Sequence, residues 1–289
     1  MKVAVLADIH SNFVAFQAAA QHLAAWKPDY VILAGDLVNR GPRPLECLSY
    51  FQAKAGRAGW RTVRGNHEDY VIEQSDHRTP QSGPAYEVHR ASRWTYQRLG
   101  EDVQPLQAMP FQQSLFAPDG SELRVVHASM RGIRDGIHPH TPDATLERQV
   151  APQPAVLCVG HTHHPLIRRL NGGLVVNAGS VGLPFDGDTR LAYAQLTWQH
   201  GEWSAEIVRL PYDIAQARAD FFEQGYYAEA GPLVKLVLIE LQTARSMLFL
   251  WSYRYQDHAE QGLISMQESV TEFITQEFGD SAWQRFGLE

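Results

Sequence analysis

The chain has 289 residues, 44% of them hydrophobic, and a formal net charge of −7. That apolar content suffices for one large α/β domain or two small ones. The acidic balance argues against a protein that gains its affinity by neutralising a nucleic-acid backbone or an anionic membrane, so neither partner is expected.

The first element is the apolar run of VAVLADIH (3–10), which delivers Asp8 and His10 at its end. It is too short for a signal-peptide core or a membrane span, so a cytoplasmic location is expected. A helix follows over FVAFQAAAQHLAAW (13–26), then a strand in YVILAGD (30–36) and a helix in PRPLECLSYFQAKAG (42–56). WRTVRGNHE (60–68) reads as a third strand and the stretch around 84–100 as a helix. LRVVHAS (123–129) and AVLCVGHTH (155–163) are two further buried-looking strands. Strand and helix alternate, which is the pattern of an α/β sheet protein. Cys47 and Cys158 sit far apart in apolar segments and read as buried core thiols.

Beyond residue 163 the pattern changes. LIRRLNGG, LVVNAGS and LAYAQLTWQHGEWSAEIVRL have strand character, the last with a turn at His200-Gly201, and predict a second, partly antiparallel sheet. From about residue 213 the chain reads helical. Val237, Leu241, Ala244, Leu248 and Trp251 fall at helical spacing, so 232–255 is expected to form one helix with a buried face.

The five early strands share one feature: each ends in Asp, Asn or His. Ligands of α/β sheets bind beyond the carboxyl ends of strands, so these residues are placed to converge. His161 and His163 are two apart, which on a strand aims both side chains the same way. Asp8, His10, Asp36, Asn66, His127, His161 and His163 offer oxygen and imidazole donors and no thiolate, a set suited to Mn, Fe or Zn rather than Ca or Mg. Seven ligands exceed what one catalytic zinc takes, so two ions are expected; if Asp36 bridges, each receives four protein ligands. Two divalent ions outweigh two carboxylates, and such a centre attracts phosphate. Each residue alone has a blander reading: Asp8 as a helix cap, Asp36 and Asn66 as turn residues, His127 as a satisfied core histidine. Only the ensemble overturns these. Gly35 and Gly65, just ahead of metal-side residues, are expected to let the chain turn sharply.

DIH, GDLVNRG, GNHE, VH and GHTH, in this order and at these spacings, resemble the signature of the calcineurin-like metallophosphoesterases over roughly residues 1–210. The resemblance implies an α/β sandwich of two mixed β-sheets flanked by helices, with a catalytic domain over 1–212 and a helical extension over 213–289 packed on or capping it. It implies one metal on Asp8, His10, Asp36 and His163 and another on Asp36, Asn66, His127 and His161, drawn from Mn, Fe, Zn or Ni with Mn favoured. A hydroxide shared by the ions would attack phosphorus in line with the leaving oxygen. His67 would be the general acid for the leaving group, and Arg40 would present its planar fork to a phosphate oxygen.

GDLVNRGPRPLECLSYF also resembles diadenosine tetraphosphatases and protein Ser/Thr phosphatases, which carry Asp where this chain has Asn39; Asn39 can accept a hydrogen bond but supplies no charge. VHASMRG, GHTHHPLIRRL and VVNAGSVGLPFDGD resemble the YfcE-type phosphodiesterase and phosphatase branch. The expected activity is hydrolysis of a small phosphodiester or phosphomonoester. A protein phosphatase or dinucleoside polyphosphate hydrolase is the runner-up. A non-catalytic protein-binding scaffold would have lost ligands, and none of the seven is missing. His138, His140 and His164 are set aside as exposed or rim residues, and the C-terminal helices are the expected surface for any homo-oligomer.

Overall fold

The computed structural model describes residues 1–288. Its strands are β1 (Lys2–Leu6), β2 (Tyr30–Leu33), β3 (Arg61–Thr62), β4 (Gln112–Phe116), β5 (Glu122–Val126), β6 (Val156–Val159), β7 (Leu166–Leu170), β8 (Gly173–Asn177), β9 (Leu191–Gln199) and β10 (Glu202–Leu210). The helices of the first two thirds are α1 (Phe13–Trp26), α2 (Pro44–Ala58), α3 (Asn66–Ile72), α4 (Pro84–Arg98), α5 (Gln104–Gln107) and α6 (Asp143–Val150). The C-terminal helices are α7 (Ile214–Glu223), α8 (Tyr226–Glu229), α9 (Val234–Thr243), α10 (Met247–Glu260), α11 (Met266–Phe278) and α12 (Ala282–Phe286).

The strands form two mixed five-stranded sheets, ordered β10-β9-β1-β2-β3 and β4-β5-β6-β8-β7. Strand periodicity assigns the layers. Val3, Val5 and Ala7, with Ile32 and Ala34, meet Val125, Cys158 and Val176 in the core between the sheets. Ala4, Leu6 and Leu33 point the other way, onto Phe16 and Leu23 of α1 and Leu48 and Phe51 of α2. The far face of the second sheet, through Leu157, Val159 and Val175, is covered by Leu146 and Val150 of α6. A one-residue slip of β1 would exchange its two faces, and each aliphatic side chain so buried is worth roughly 1.5–3 kcal/mol. Cys47 and Cys158 are free and buried in these cores, as the sequence predicts.

The C-terminal helices pack around a core that includes Val237, Leu241, Trp251, Val270 and Phe273 and that Trp94 of α4 and Leu183 also enter. They are tied to the sandwich by polar contacts. Arg43, at the start of α2, forks onto both oxygens of Asp220 in α7 at 2.7 Å, and Trp94 Nε1 of α4 donates to the Glu229 carboxylate at 2.8 Å.

Three expectations need correction. The strands after residue 163 do not form a sheet by themselves: β7 and β8 join β5 and β6, whereas the β9–β10 hairpin returns to pair antiparallel with β1. Its two-residue turn has positive φ at both His200 (54°) and Gly201 (83°), the geometry that matches strand twist. Second, WRTVRGNHE holds only the short strand Arg61–Thr62, and Asn66 already opens α3. Third, 232–255 is two helices. Ala244 takes a left-handed conformation (φ 50°) that ends α9, and Glu240 accepts from Leu248 N–H at the start of α10. Among the described residues, no helix is long and apolar enough to cross a membrane.

Candidate metal centre

The carboxyl ends of β1, β2 and β3 in one sheet and of β5 and β6 in the other open onto the same place. Backbone strain marks the convergence: Asp8, His10, Asp36, Asn39, Arg40, His161 and His163 all have φ between 48° and 71°. Such left-handed conformations are disfavoured for side-chain-bearing residues and are held only where surrounding structure over-determines them. Asp8 does not cap α1; Asn12 does, accepting from Ala15 N–H at 3.1 Å.

All seven candidate ligands come together, in two groups that share one residue. Asp8 Oδ1 lies 3.4 Å from His163 Nε2 and 4.0 Å from His10 Nε2, and the two imidazole nitrogens are 3.1 Å apart. Asn66 Oδ1, His127 Nε2 and His161 Nδ1 form the second group, at 2.9 to 3.2 Å from one another. Asp36 Oδ2 stands between them, 3.7 Å from His10 Nε2 and 3.4 Å from His127 Nε2. Its other oxygen accepts from His67 N–H at 2.9 Å, which fixes the carboxylate.

Tautomers show what these groups are built for. His127 Nδ1 faces the carbonyl of Ala34 at 2.7 Å and His163 Nδ1 faces that of Leu183, so both nitrogens carry the proton and each Nε2 presents a lone pair. Lone pairs therefore face oxygens and other imidazole nitrogens inside a buried pocket, and Asp8 Oδ1 has no hydrogen-bond partner. Acceptors facing acceptors without water repel; a cation is what satisfies them. Burial pushes His10 well below its usual value, with His67 adding to the effect, and burial likewise takes His161 down to about 3, so both are in the neutral form that ligates. Burial would lower His127 too, but the carboxylates of Asp36 and Asp8 push it up to about 10, so without a cation a proton takes that place.

His67 also brings a ring nitrogen within 4.8 Å of ligand atoms of His10 and Asp36, and its ring meets that of His10 edge-on, with centroids 4.7 Å apart, but its hydrogen bonds set it apart. Asn39 Oδ1 accepts the backbone N–H of Arg40 at 2.9 Å, which turns the Asn39 amide nitrogen toward His67 Nδ1 (3.1 Å) and Ser92 Oγ (3.0 Å). Asn39 thus donates rather than accepts. His67 Nδ1 must accept, its proton sits on Nε2, and Nε2 is a donor rather than a ligand. Arg40 is half-buried beside the cluster and pairs with no carboxylate among the described residues; its charge helps depress His10, His67 and His161.

Several positioning residues were not singled out from sequence. Glu68 is fully buried, and its carboxylate accepts from the N–H groups of Asp36, Leu37, Val38 and Gly65 at 2.8 to 3.2 Å, stapling the β2 turn to the start of α3. An acidic residue three positions after a helix N-cap is the available signal. Asn177 donates to Gly160 O and Thr162 Oγ1, and Ser180 bridges Asp8 O and Leu183 N; both hold the histidine-bearing loop. The two glycines differ in their reasons. Gly35 needs its φ of 84°, whereas Gly65 has an ordinary backbone and is small because a Cβ there would lie 2.1 Å from Asp36 Oδ1. His164, His138 and His140 stay outside both groups.

The chain is similar to several known proteins. A metallophosphoesterase from Sphaerobacter thermophilus superposes with a TM-score of 0.62 at 28% identity, covering 78% of this chain and 95% of that one. A hypothetical protein from Pyrococcus horikoshii superposes at 0.67 with 21% identity over 81% and 97% of the two chains, a likeness of fold. An uncharacterized protein of Methanocaldococcus jannaschii is 25% identical over 237 residues, 74% of this chain and 89% of that one. The family model of the calcineurin-like phosphoesterase superfamily domain matches residues 1–201, and the chain belongs to that superfamily.

Proposed function

We propose that the protein is a dinuclear metal-dependent hydrolase of a small phosphodiester or phosphomonoester. The observation that carries this is Asp36 Oδ2, one buried carboxylate oxygen within 3.7 Å of His10 and 3.4 Å of His127, one from each acceptor group. Asp8, His10, Asp36 and His163 would hold one ion, and Asp36, Asn66, His127 and His161 the other. When bound, two ions of the Mn, Fe, Zn or Ni kind, Mn favoured, supply Lewis-acid chemistry, polarising phosphate oxygens and lowering the pKa of water.

The chain's own residues supply the rest. Arg40 offers its unpaired guanidinium to phosphate oxygens. His67, held neutral by Asn39 with its proton on Nε2, donates a hydrogen bond to the leaving oxygen, and solvent supplies the proton that the departing alkoxide takes up. An Asp at position 39 would accept from Nδ1 and support an imidazolium; Asn39 does the opposite, which weighs against a protein-phosphatase-like site. Residues 1–212 form the catalytic unit in this reading, and the described residues from 213 to 288 narrow the approach to it.

The test is to measure metal per chain and assay a generic phosphodiester and phosphomonoester with added Mn²⁺, then cyclic nucleotides, dinucleoside polyphosphates and a phosphopeptide. About two ions per chain and turnover of a small ester are expected. A protein that binds no transition metal and stays inert across the panel would sink the proposal.

A further inference from the structure

A cavity of about 270 Å³ opens directly beside the metal centre, with Asn39, Arg40 and His67 on its inner wall. Its opposite wall is made by the C-terminal helices: Val237 of α9 and Leu248, Phe249, Trp251 and Ser252 of α10. Most of that wall is carbon, and Phe249 is 67% exposed, an unusual position for a large aromatic side chain. Ser92, His89 and Gln256 add polar groups elsewhere in the lining.

The position of His67 fixes which part of a substrate enters. A residue that donates to the leaving oxygen must lie beside it, so a cavity that begins at His67 receives the leaving group rather than the phosphate. A cavity of roughly 150 Å³ accepts a benzene ring, so this one accommodates a single ring or a bicyclic nucleobase and leaves no room for a folded polypeptide. Resting on the phosphoesterase reading above, we propose that the cavity between His67 and α10 selects phosphate esters whose leaving alcohol carries an aromatic ring.

The experiment compares esters of adenosine, benzyl alcohol and ethanol, each with Mn²⁺, in the wild type, Ser252→Trp and Phe249→Ala. The readout is the ratio of kcat/KM for a ring-bearing ester to that for the ethyl ester, in which general loss of active protein cancels. Ser252→Trp fills the cavity and is expected to lower the ratio at least tenfold; Phe249→Ala, at an exposed position that does not threaten folding, should lower it about threefold. In parallel, binding of adenosine and benzyl alcohol is followed by saturation-transfer NMR and is expected to disappear in Ser252→Trp. Ratios within twofold of wild type in both wall variants, or ring binding that persists in Ser252→Trp, would overturn the proposal. If no ester is turned over, the phosphoesterase reading fails by itself, while the binding arm still decides whether the cavity takes a ring.

Discussion

Replacing Asp36 by Asn exchanges one oxygen for an amide nitrogen, and the structure determines where that nitrogen goes. Asp36 Oδ1 accepts from His67 N–H at 2.9 Å, so an Asn that keeps this bond must turn its NH₂ toward His10 Nε2 and His127 Nε2, now 3.7 and 3.4 Å from Oδ2. An Asn that flips instead sets its NH₂ against the His67 N–H. In the favoured orientation a donor occupies the bridging position, and both ions lose a ligand at once. Binding to the native state alone stabilises by about 2.7 kcal/mol per site at a free concentration of 100 times Kd, hence about 5 kcal/mol for two independent sites. For a chain of this size that is a rise in Tm of roughly 10 °C. The assay is thermal unfolding in chelator and in Mn²⁺, with metal per chain measured on the same samples. Wild type should shift by roughly 10 °C; Asp36→Asn should shift little, bind fewer than one ion per chain and lose activity. In chelator Asp36→Asn should unfold below wild type, because His127, protonated there when no cation is bound, loses the carboxylate that faces it and meets an NH₂ instead. Two ions retained by Asp36→Asn, or an undiminished metal shift, would refute the bridging role.

Two further predictions concern buried carboxylates. Glu68→Gln places an NH₂ among four backbone N–H groups that now share a carboxylate, leaving about two of them unsatisfied at roughly 1–3 kcal/mol each; urea unfolding should show a loss of about 2–5 kcal/mol, together with reduced metal content. Glu240 is fully buried with Oε2 unpartnered, and burial raises its carboxyl above the usual range, with the charge of Arg40 offsetting part of the rise. An acid whose folded pKa is raised binds its proton more readily in the native state, so its contribution is fully present below the ordinary Glu pKa and is lost as pH rises through the folded value. Glu240→Gln keeps the acceptor for Leu248 N–H and removes the buried charge. It should raise Tm at pH 8 more than at pH 5, and an equal or opposite effect at the two pH values would show that Glu240 is not the source of the slope.

The convergence of the candidate residues was legible because they follow short apolar runs at strand ends, where local periodicity fixes direction. Val3, Val5 and Ala7 alternate with Ala4 and Leu6, so the faces of β1 and the exit of Asp8 follow from seven residues. His161 and His163 are correctly paired in direction by their spacing, yet they serve different groups, since His163 meets Asp8 and His10 while His161 meets Asn66 and His127. Their separation depends on two positive φ values that no strand periodicity encodes.

By itself, then, the sequence determined which residues could ligate, the buried faces of the early strands and the turn at His200-Gly201, all of which depend on neighbours a few positions apart. Tertiary structure decided the rest. Hydrogen bonding along an open sheet edge, not the pattern within β9 and β10, placed that hairpin against β1. The donor role of Asn39 was set by Arg40 N–H next door and by Ser92, which α4 brings in from 53 positions away. The cavity beside His67 exists only because α9 and α10 close over it. Edge pairing, amide orientation and enclosure are each fixed by groups far apart in the chain, and local pattern carries no record of which distant group will arrive.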